Sequence, residues 1–89
     1  ALSQNFPNPF NPTTTIAYSI PENSEVKLTI YNLTGRRITD LVQDQISAGI
    51  YSVNWDGKND TGLPVSSGLY LYTIETANYR AMKKMIFMK

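Results

Sequence analysis

Three prolines fall within six positions near the start of the chain, at Pro7, Pro9 and Pro12, and they restrict the conformation of this segment strongly. Each proline fixes φ, lacks a backbone N–H and pushes the preceding residue toward an extended conformation. Such a run cannot form the interior of a helix or of a central strand. Residues 1–12 are therefore predicted to be a stiff, extended lead-in.

Two phenylalanines alternate with these prolines and distinguish the lead-in from a disordered linker. A flexible linker is usually polar and has no need of large apolar rings. We therefore expect Phe6 and Phe10 to lie against a folded domain. The predicted organisation is a docking lead-in over residues 1–12 and a single domain over residues 13–89.

The 89 residues suffice for one small domain with one hydrophobic core. Eight basic and seven acidic residues are scattered along the chain, and this balance predicts neither nucleic acid nor an anionic membrane as a general partner. No apolar run approaches the roughly 18 to 20 residues of a membrane span. Because the chain begins at Ala1 rather than Met, we expect it to be a piece of a longer precursor whose export signal lies upstream.

Cysteine and histidine are both absent from the chain. It therefore lacks the usual thiol nucleophile, the usual general base at neutral pH and the commonest ligands of zinc, iron and copper. No glycine-rich phosphate loop occurs, and the acidic residues are not paired in a way that favours acid/base catalysis. We accordingly predict a protein that is not an enzyme and that has no catalytic residues.

Apolar residues alternate with polar ones in segments that recur every 8 to 14 residues or so, which is the pattern of an all-β fold. Six strands are predicted in this way: Ile16 to Ile20, Val26 to Ile30, Arg37 to Val42, Tyr51 to Trp55, Leu69 to Thr76 and Arg80 to Met88. Pro64 to Gly68 is a candidate for a short seventh strand at an edge. The predicted fold class is an immunoglobulin-like β-sandwich of about seven antiparallel strands in two sheets.

One loop concentrates oxygen-bearing side chains, with Asp56, Asn59 and Asp60 within five residues. Oxygen ligands at this density can bind Ca²⁺ when backbone carbonyls complete the shell. The spacing does not match the D-x-[DN]-x-[DN]-G calcium loop, and the same residues are the usual turn formers. Turn chemistry is the favoured interpretation, and Ca²⁺ is the only cofactor that we retain as an alternative.

Six tyrosines and one tryptophan raise the alternative of a sugar-binding platform, because flat aromatic faces stack on pyranose rings. Tyr18, Tyr51 and Trp55 alternate in register with aliphatic residues, which favours packing in the core or between strands. The same argument applies to Tyr70 and Tyr72. A platform for carbohydrate is therefore the less favoured interpretation of these aromatics.

The last predicted strand places apolar side chains between cations: Lys83, Lys84, Met85, Ile86, Phe87, Met88 and Lys89. An edge strand protected by lysines accounts for this pattern. A recognition tail accounts for it equally well, because an apolar strand flanked by positive charge can be added to the sheet of another protein. The residues alone leave both interpretations open.

Taken together, the order and spacing of these motifs resemble the type A C-terminal sorting domain of proteins exported by the type IX secretion system of Bacteroidota and related bacteria. That group is similar to the immunoglobulin-like domain of flagellar hook-capping proteins. The matching segments are Leu2 to Pro12 with Thr13 and Ile16, Ile20-Pro21, Val26 to Tyr31 with Asn32 and Gly35, Ala48-Gly49 with Tyr51, Trp55-Asp56-Gly57, Gly62, Val65, Ser67 to Tyr70 with Tyr72, and the lysine-rich last strand.

The resemblance implies a non-catalytic sorting signal on a multidomain cargo protein, with the cargo domain upstream in the same precursor. Its implied partners are the type IX translocon and a sortase-like cell-surface peptidase that removes the domain. The implied location is the periplasm in transit and then the cell surface or the medium. The glycine-x-tyrosine motif of the family falls on Gly68 and Tyr70, and its lysine-containing terminal motif falls on Lys83, Lys84 and Lys89.

Two further functions are kept as alternatives. The first is a structural scaffold module like that of hook-capping proteins, which helps assembly and is never removed. The second is a carbohydrate-binding or surface-binding accessory module of a secreted enzyme, which would require Tyr70 and Tyr72 to present their rings to solvent.

Overall fold

The computed structural model describes residues 1–89 and contains six β-strands and no α-helix. They are β1 (Thr14–Ile20), β2 (Ser24–Asn32), β3 (Arg37–Ile46), β4 (Gly49–Trp55), β5 (Gly68–Glu75) and β6 (Arg80–Phe87). One antiparallel sheet has the order β3-β2-β5-β6, and β1 pairs with β4 in a second antiparallel sheet. The prediction of an all-β fold with two antiparallel sheets is confirmed. The model has no helix whose length and hydrophobicity would let it cross a membrane.

The predicted seventh strand does not form. Between Pro64 and Gly68 the backbone makes one isolated bridge, from Lys58 to Pro64, and the N–H of Val65 donates to the carbonyl of Gly57 over 2.9 Å. Pro64 has no N–H to give to a ladder, so pairing stops after this contact. β3, by contrast, continues past the predicted end at residue 42 because its pairing with β2 extends as far as the Ser24 and Ile46 pair.

The core lies between the two sheets and follows the predicted alternation. Inward side chains from β1, β2, β5 and β6 meet Trp55 at the end of β4 and two residues of the lead-in. The fourteen buried members of this cluster are Leu2, Phe10, Ile16, Tyr18, Ile20, Val26, Leu28, Ile30, Trp55, Tyr70, Tyr72, Ile74, Met85 and Phe87. The partners Tyr18 and Tyr51 stack across the β1–β4 pair with ring centroids 5.6 Å apart, as expected from their alternation with aliphatic residues.

The lead-in runs beside β1 and then reaches β6. Bridges connect Leu2 with Tyr18 and Phe6 with Thr15, and the N–H and C=O of Phe6 both bond to the backbone of Thr15 over 2.9 Å. The lead-in thereby acts as a partial third strand beside β1 and β4. Phe10 then makes a parallel bridge with Phe87, so the segment contacts strands of both sheets.

The two phenylalanines of the lead-in have opposite environments. Phe10 is buried, with 1% of its surface exposed, whereas Phe6 is 80% exposed. The expectation that Phe6 lies against the sandwich is therefore wrong. Successive side chains of an extended segment point to opposite sides, and the neighbouring Asn5 takes the inward position.

Two connections share the sequence Asn-x-Thr-Gly and the same hydrogen bonds. Asn32 Oδ1 accepts from the N–H and the hydroxyl of Thr34 and from the N–H of Arg36, within the turn between β2 and β3. Gly35 completes that turn with a φ of +84°, a conformation that glycine adopts without steric cost. The hairpin predicted for β2 and β3 is confirmed, and its turn is held by a side chain as well as by the backbone.

Candidate functional site

The two motifs assigned by resemblance to sorting lie side by side in the structure. In the β5–β6 hairpin Gly68 pairs with Phe87, and Tyr70 pairs with Met85. The glycine-x-tyrosine motif and the lysine-rich last strand are thus direct cross-strand neighbours, although more than a dozen residues separate them in the sequence. The hairpin turn brings them together, where the N–H of Thr76 donates to the carbonyl of Tyr79 over 2.8 Å.

Strand alternation divides the predicted residues of β6 into an inner and an outer group. Met85 and Phe87 are buried in the core, and Lys83 is half-buried on the same side. Lys84 and Ile86 point outward, where Ile86 is 41% exposed. A partner that contacts the folded domain therefore meets the outer group, while the inner group maintains the fold that presents it. Lys89 follows β6 and is exposed.

Tyr70 is held in place by two contacts. Its hydroxyl donates to the carbonyl of Ser66 over 2.7 Å, and its ring meets Trp55 edge to face with centroids 5.5 Å apart. Tyr70 and Tyr72 are both buried and face the core, so neither ring is available to stack on a sugar. The carbohydrate platform on these two tyrosines is therefore contradicted by their burial.

The lead-in covers part of the outer edge of β6, the edge strand of the four-stranded sheet. The N–H of Phe10 donates to the carbonyl of Ile86, and the N–H of Met88 donates to the carbonyl of Phe10, both over 3.0 Å. Asn8 Oδ1 accepts from the N–H of Ile86 over 2.9 Å, and Gln4 Nε2 donates to the carbonyl of Lys84 over 2.6 Å. We call residues 4–10 the edge cover.

A buried hydrogen-bond hub joins the edge cover to the core. The hydroxyl of Tyr72 accepts from the N–H of Asn5 over 2.8 Å and donates to the carbonyl of Ser3 over 2.7 Å. Asn5 Nδ2 donates in turn to Thr14 Oγ1 over 3.0 Å and to the carbonyl of Pro7 over 3.1 Å. Sequence reasoning missed this role of Asn5, because a single asparagine in a proline-rich segment carries no signal for a partner in a distant strand.

Burial raises the pKa of the Tyr72 phenol, and it is also the main cause of the raised pKa values of Tyr18 and Tyr70. The folded protein thus holds these protons more tightly than the unfolded chain does. The resulting stabilisation is fully present below the unfolded tyrosine pKa of about 10 and is lost as the pH rises through the folded values. We expect the free energy of unfolding, measured by urea titration, to fall above about pH 10. Tyr72→Phe should make this fall shallower, and an unchanged slope would contradict the assignment.

Positive charge is concentrated on and after β6. Arg80, Lys83, Lys84 and Lys89 all follow Glu75, the last acidic residue of the chain. The only ion pair among them joins Arg80 Nε to Glu75 Oε1 over 4.0 Å at the surface. The three lysines have no acidic partner in the chain. This edge of the sheet is therefore locally cationic although the whole chain is nearly neutral.

The loop considered for calcium is organised by contacts within the protein. Asn59 Oδ1 accepts from the N–H and hydroxyl of Thr61 and from the N–H of Leu63, in the same turn that Asn32 forms. Asp60 pairs with Arg37, and this hydrogen bond lowers the pKa of the Asp60 carboxyl. Asp56 lies 3.9 Å from Lys58 Nζ. These contacts are the ones expected of a turn, which is the favoured interpretation, and Ca²⁺ binding stays an untested alternative.

Comparison with protein families gives a match over most of the chain. Residues 8–79 match the family model of the FlgD Ig-like domain. No curated protein matches the sequence. The family match, together with the two antiparallel sheets, confirms the predicted immunoglobulin-like fold class, with six strands in place of about seven.

Three solved structures are similar to this chain. Dimeric latent PorU from Porphyromonas gingivalis is 25% identical, with a TM-score of 0.71 over 96% of this chain and 9% of that chain. PorZ, an essential surface component of the type IX secretion system of the same bacterium, is 18% identical, with a TM-score of 0.69 over 97% of this chain and 11% of that chain. FlgD from P. aeruginosa is 24% identical, with a TM-score of 0.65 over 83% of this chain and 58% of that chain. The chain thus spans about a tenth of PorU and PorZ.

Proposed function

The chain belongs to the FlgD Ig-like domain family, a family of non-enzymatic structural modules, and on this premise we propose that it is a non-catalytic sorting domain for the type IX secretion system. The observation that carries the proposal is the pairing of the Gly68 and Tyr70 motif with the lysine-rich strand β6. β5, which carries the first motif, lies next to the edge strand β6, and the outward side chains of β6 are exposed and include Lys84. A domain of the same fold in PorZ, a component of that system, adds support.

The partners proposed with this function are the translocon of the type IX system and a sortase-like cell-surface peptidase. The cargo domain would lie upstream in the same precursor, and the lead-in would then connect cargo and signal. The proposed location is the periplasm during transit and the cell surface or the medium afterwards. The outer group on β6, with Lys84 and Ile86, is the part of the domain that the translocon would contact.

A structural scaffold is the second candidate function, and the family match over residues 8–79 favours it directly. In this case the domain would assist the assembly of a larger structure and would remain attached to its parent protein. The fate of the domain separates the two proposals. A sorting domain is absent from the exported product when the peptidase acts, whereas a scaffold remains attached.

We expect a reporter fused upstream of residues 1–89 to be exported by a host with a type IX system. The double variant Lys84→Glu with Ile86→Ser should reduce export about tenfold, which corresponds to the loss of one strongly contributing contact. Both side chains point outward, so this variant should keep the fold that a deletion of β6 would destroy. Immunoblots of cell and medium fractions measure the reporter and its size.

The matched control is Lys27→Glu with Ile50→Ser, which makes the same changes on β2 and β4. Ile50 is highly exposed and lies in the other sheet from β6. Export of this control should equal that of the parent fusion. Equal export of both double variants would count against sorting through β6, and export of an uncleaved fusion that is retained in a surface assembly would favour the scaffold.

A further inference from the structure

We propose that β6 binds an extended, acidic segment of a partner protein as an added strand, which begins at the uncovered end of β6 near Met82 and displaces the side-chain bonds of Gln4 and Asn8 while the ring of Phe10 stays in the core. The inference rests on the function proposed above, because it names the partner chemistry of the same strand. Strand addition uses the free N–H and C=O groups of an edge strand for affinity and neighbouring side chains for specificity. β6 offers free backbone groups and exposed side chains, although the edge cover occupies part of its edge.

The edge cover is an incomplete partner for β6. Pro7 and Pro9 have no N–H, so the segment cannot form a regular ladder. Phe10 is the only residue of the cover whose backbone bonds to β6 and the residue after it, with one donated and one accepted hydrogen bond. The other two contacts come from the side chains of Gln4 and Asn8. A regular strand would supply backbone groups at every second residue along the same edge.

Part of the edge has no cover. The edge cover bonds to backbone groups of every second residue of β6, namely Lys84, Ile86 and Met88. By the same alternation, the N–H and C=O of Met82 and the N–H of Lys84 point toward the open edge of the sheet. No segment of the chain pairs with these groups of Met82 and Lys84. An incoming strand can therefore begin at Met82 before it competes with the cover further along.

The side chains on the outer face of β6 suit a strand with apolar positions. Met82 is 58% exposed, Ile86 41% and Met88 53%, the last just beyond the strand. An exposed apolar row on an edge strand is unusual, because such edges invite pairing with other chains. Apolar residues of an added strand would lie beside this row as cross-strand neighbours.

The positive charge of β6 favours acidic residues at the other positions of the added strand. Lys84 lies between Met82 and Ile86 on the outer face, Arg80 precedes it on the same face, Lys89 follows the strand, and β6 contains no acidic residue. Like charges directly opposite each other destabilise a strand pair, and opposite charges stabilise it. The segment that fits is therefore extended and alternates apolar with acidic residues.

The test is a titration of the isotopically labelled chain with two synthetic peptides of about eight residues, a length typical of strands. One alternates valine with glutamate, and the other alternates valine with lysine. Amide chemical shifts report the site of binding. We expect shifts confined to β6 and the lead-in, including the amide of Phe10, and affinity about tenfold higher for the glutamate peptide, because several weak charge pairs add.

Three variants locate the contact. Met82→Pro removes an outward N–H at an edge position, where proline is tolerated, and should weaken binding about tenfold or more. Lys84→Glu should abolish the preference for glutamate. Asn8→Ala removes one bond of the cover and should tighten binding about fivefold. If Met82→Pro proves unfolded by its amide spectrum, the other two variants still decide the outcome.

The proposal is overturned if the glutamate peptide causes no shifts, if both peptides bind equally, or if the folded Met82→Pro protein binds as well as the parent chain. Binding to phosphatidylglycerol vesicles without binding to the peptide would also overturn it and would assign β6 to a lipid surface. The export assay and the peptide titration can give opposite results, so each tests its own proposal. Export that needs Lys84 and Ile86 without peptide binding rejects strand addition alone, whereas peptide binding without such export rejects the sorting function.

Discussion

Phe10→Ala is expected to lower the free energy of unfolding by about 3 to 5 kcal/mol, the usual cost of deleting a buried phenylalanine ring. The Phe10 ring stacks on Phe87 with centroids 4.9 Å apart and lies 5.6 Å from Trp55. Its removal leaves a cavity beside Phe87 of β6 and Trp55 of β4, where strands of the two sheets meet. The lead-in is consequently part of the folded domain in energetic terms, although it contains none of the six strands.

The expected loss is large compared with the whole stability of such a domain. A chain of 89 residues has a free energy of unfolding of about 4 to 13 kcal/mol. A loss of this size would lower the melting temperature by more than about 12 °C. Thermal unfolding followed by circular dichroism, with urea unfolding as the equilibrium measurement, tests the prediction.

Phe6→Ala is the matched control for Phe10→Ala. It removes the same ring from the same segment, but Phe6 is exposed to solvent. Its effect should stay within about 0.5 kcal/mol, as is usual for surface substitutions. Similar losses in both variants would contradict the placement of the lead-in, and so would an unaffected Phe10→Ala protein.

These two phenylalanines also show where sequence reasoning ends. The alternation of apolar residues in β1, β2 and β5 was sufficient to predict those strands and their inward faces. Phe6 directly precedes a proline and Phe10 directly follows one, and neither position indicates which ring is buried. Which ring is buried depends on the register of the lead-in against β1 and β6, and that register is a property of the whole fold.

The sequence could name candidate site residues but could not predict their geometry, and their role stays a proposal. Motif positions identified Gly68, Tyr70 and the last strand, and the resemblance supplied their role. The division of β6 into buried and exposed side chains follows from alternation once its pairing with β5 is known. The edge cover could not have been predicted, because the bonds of Gln4 and Asn8 to β6 join residues about eighty positions apart.

A methyl group should be costly at Gly57, the last residue of the Trp55-Asp56-Gly57 segment. Gly57 has a φ of +73°, which L-residues adopt at a cost of about 1 to 2 kcal/mol. A Cβ atom at this position would lie 2.8 Å from Cζ of Phe87, closer than side chains can approach. Since overpacking adds about 1 to 3 kcal/mol, we expect Gly57→Ala to lower the free energy of unfolding by about 2 to 5 kcal/mol.

Gly62→Ala separates the backbone cost from the contact with Phe87. Gly62 has a φ of +80°, but nothing lies within 4 Å of its Cβ position. Urea unfolding of this variant should show only the backbone cost of about 1 to 2 kcal/mol. The excess loss in Gly57→Ala then measures how firmly Phe87 is held, and Phe87→Leu should reduce that excess by removing the ring edge. Equal losses in the two alanine variants would mean that β6 shifts freely at Phe87, and a strand that shifts freely could not present Lys84 and Ile86 in a fixed register to a partner.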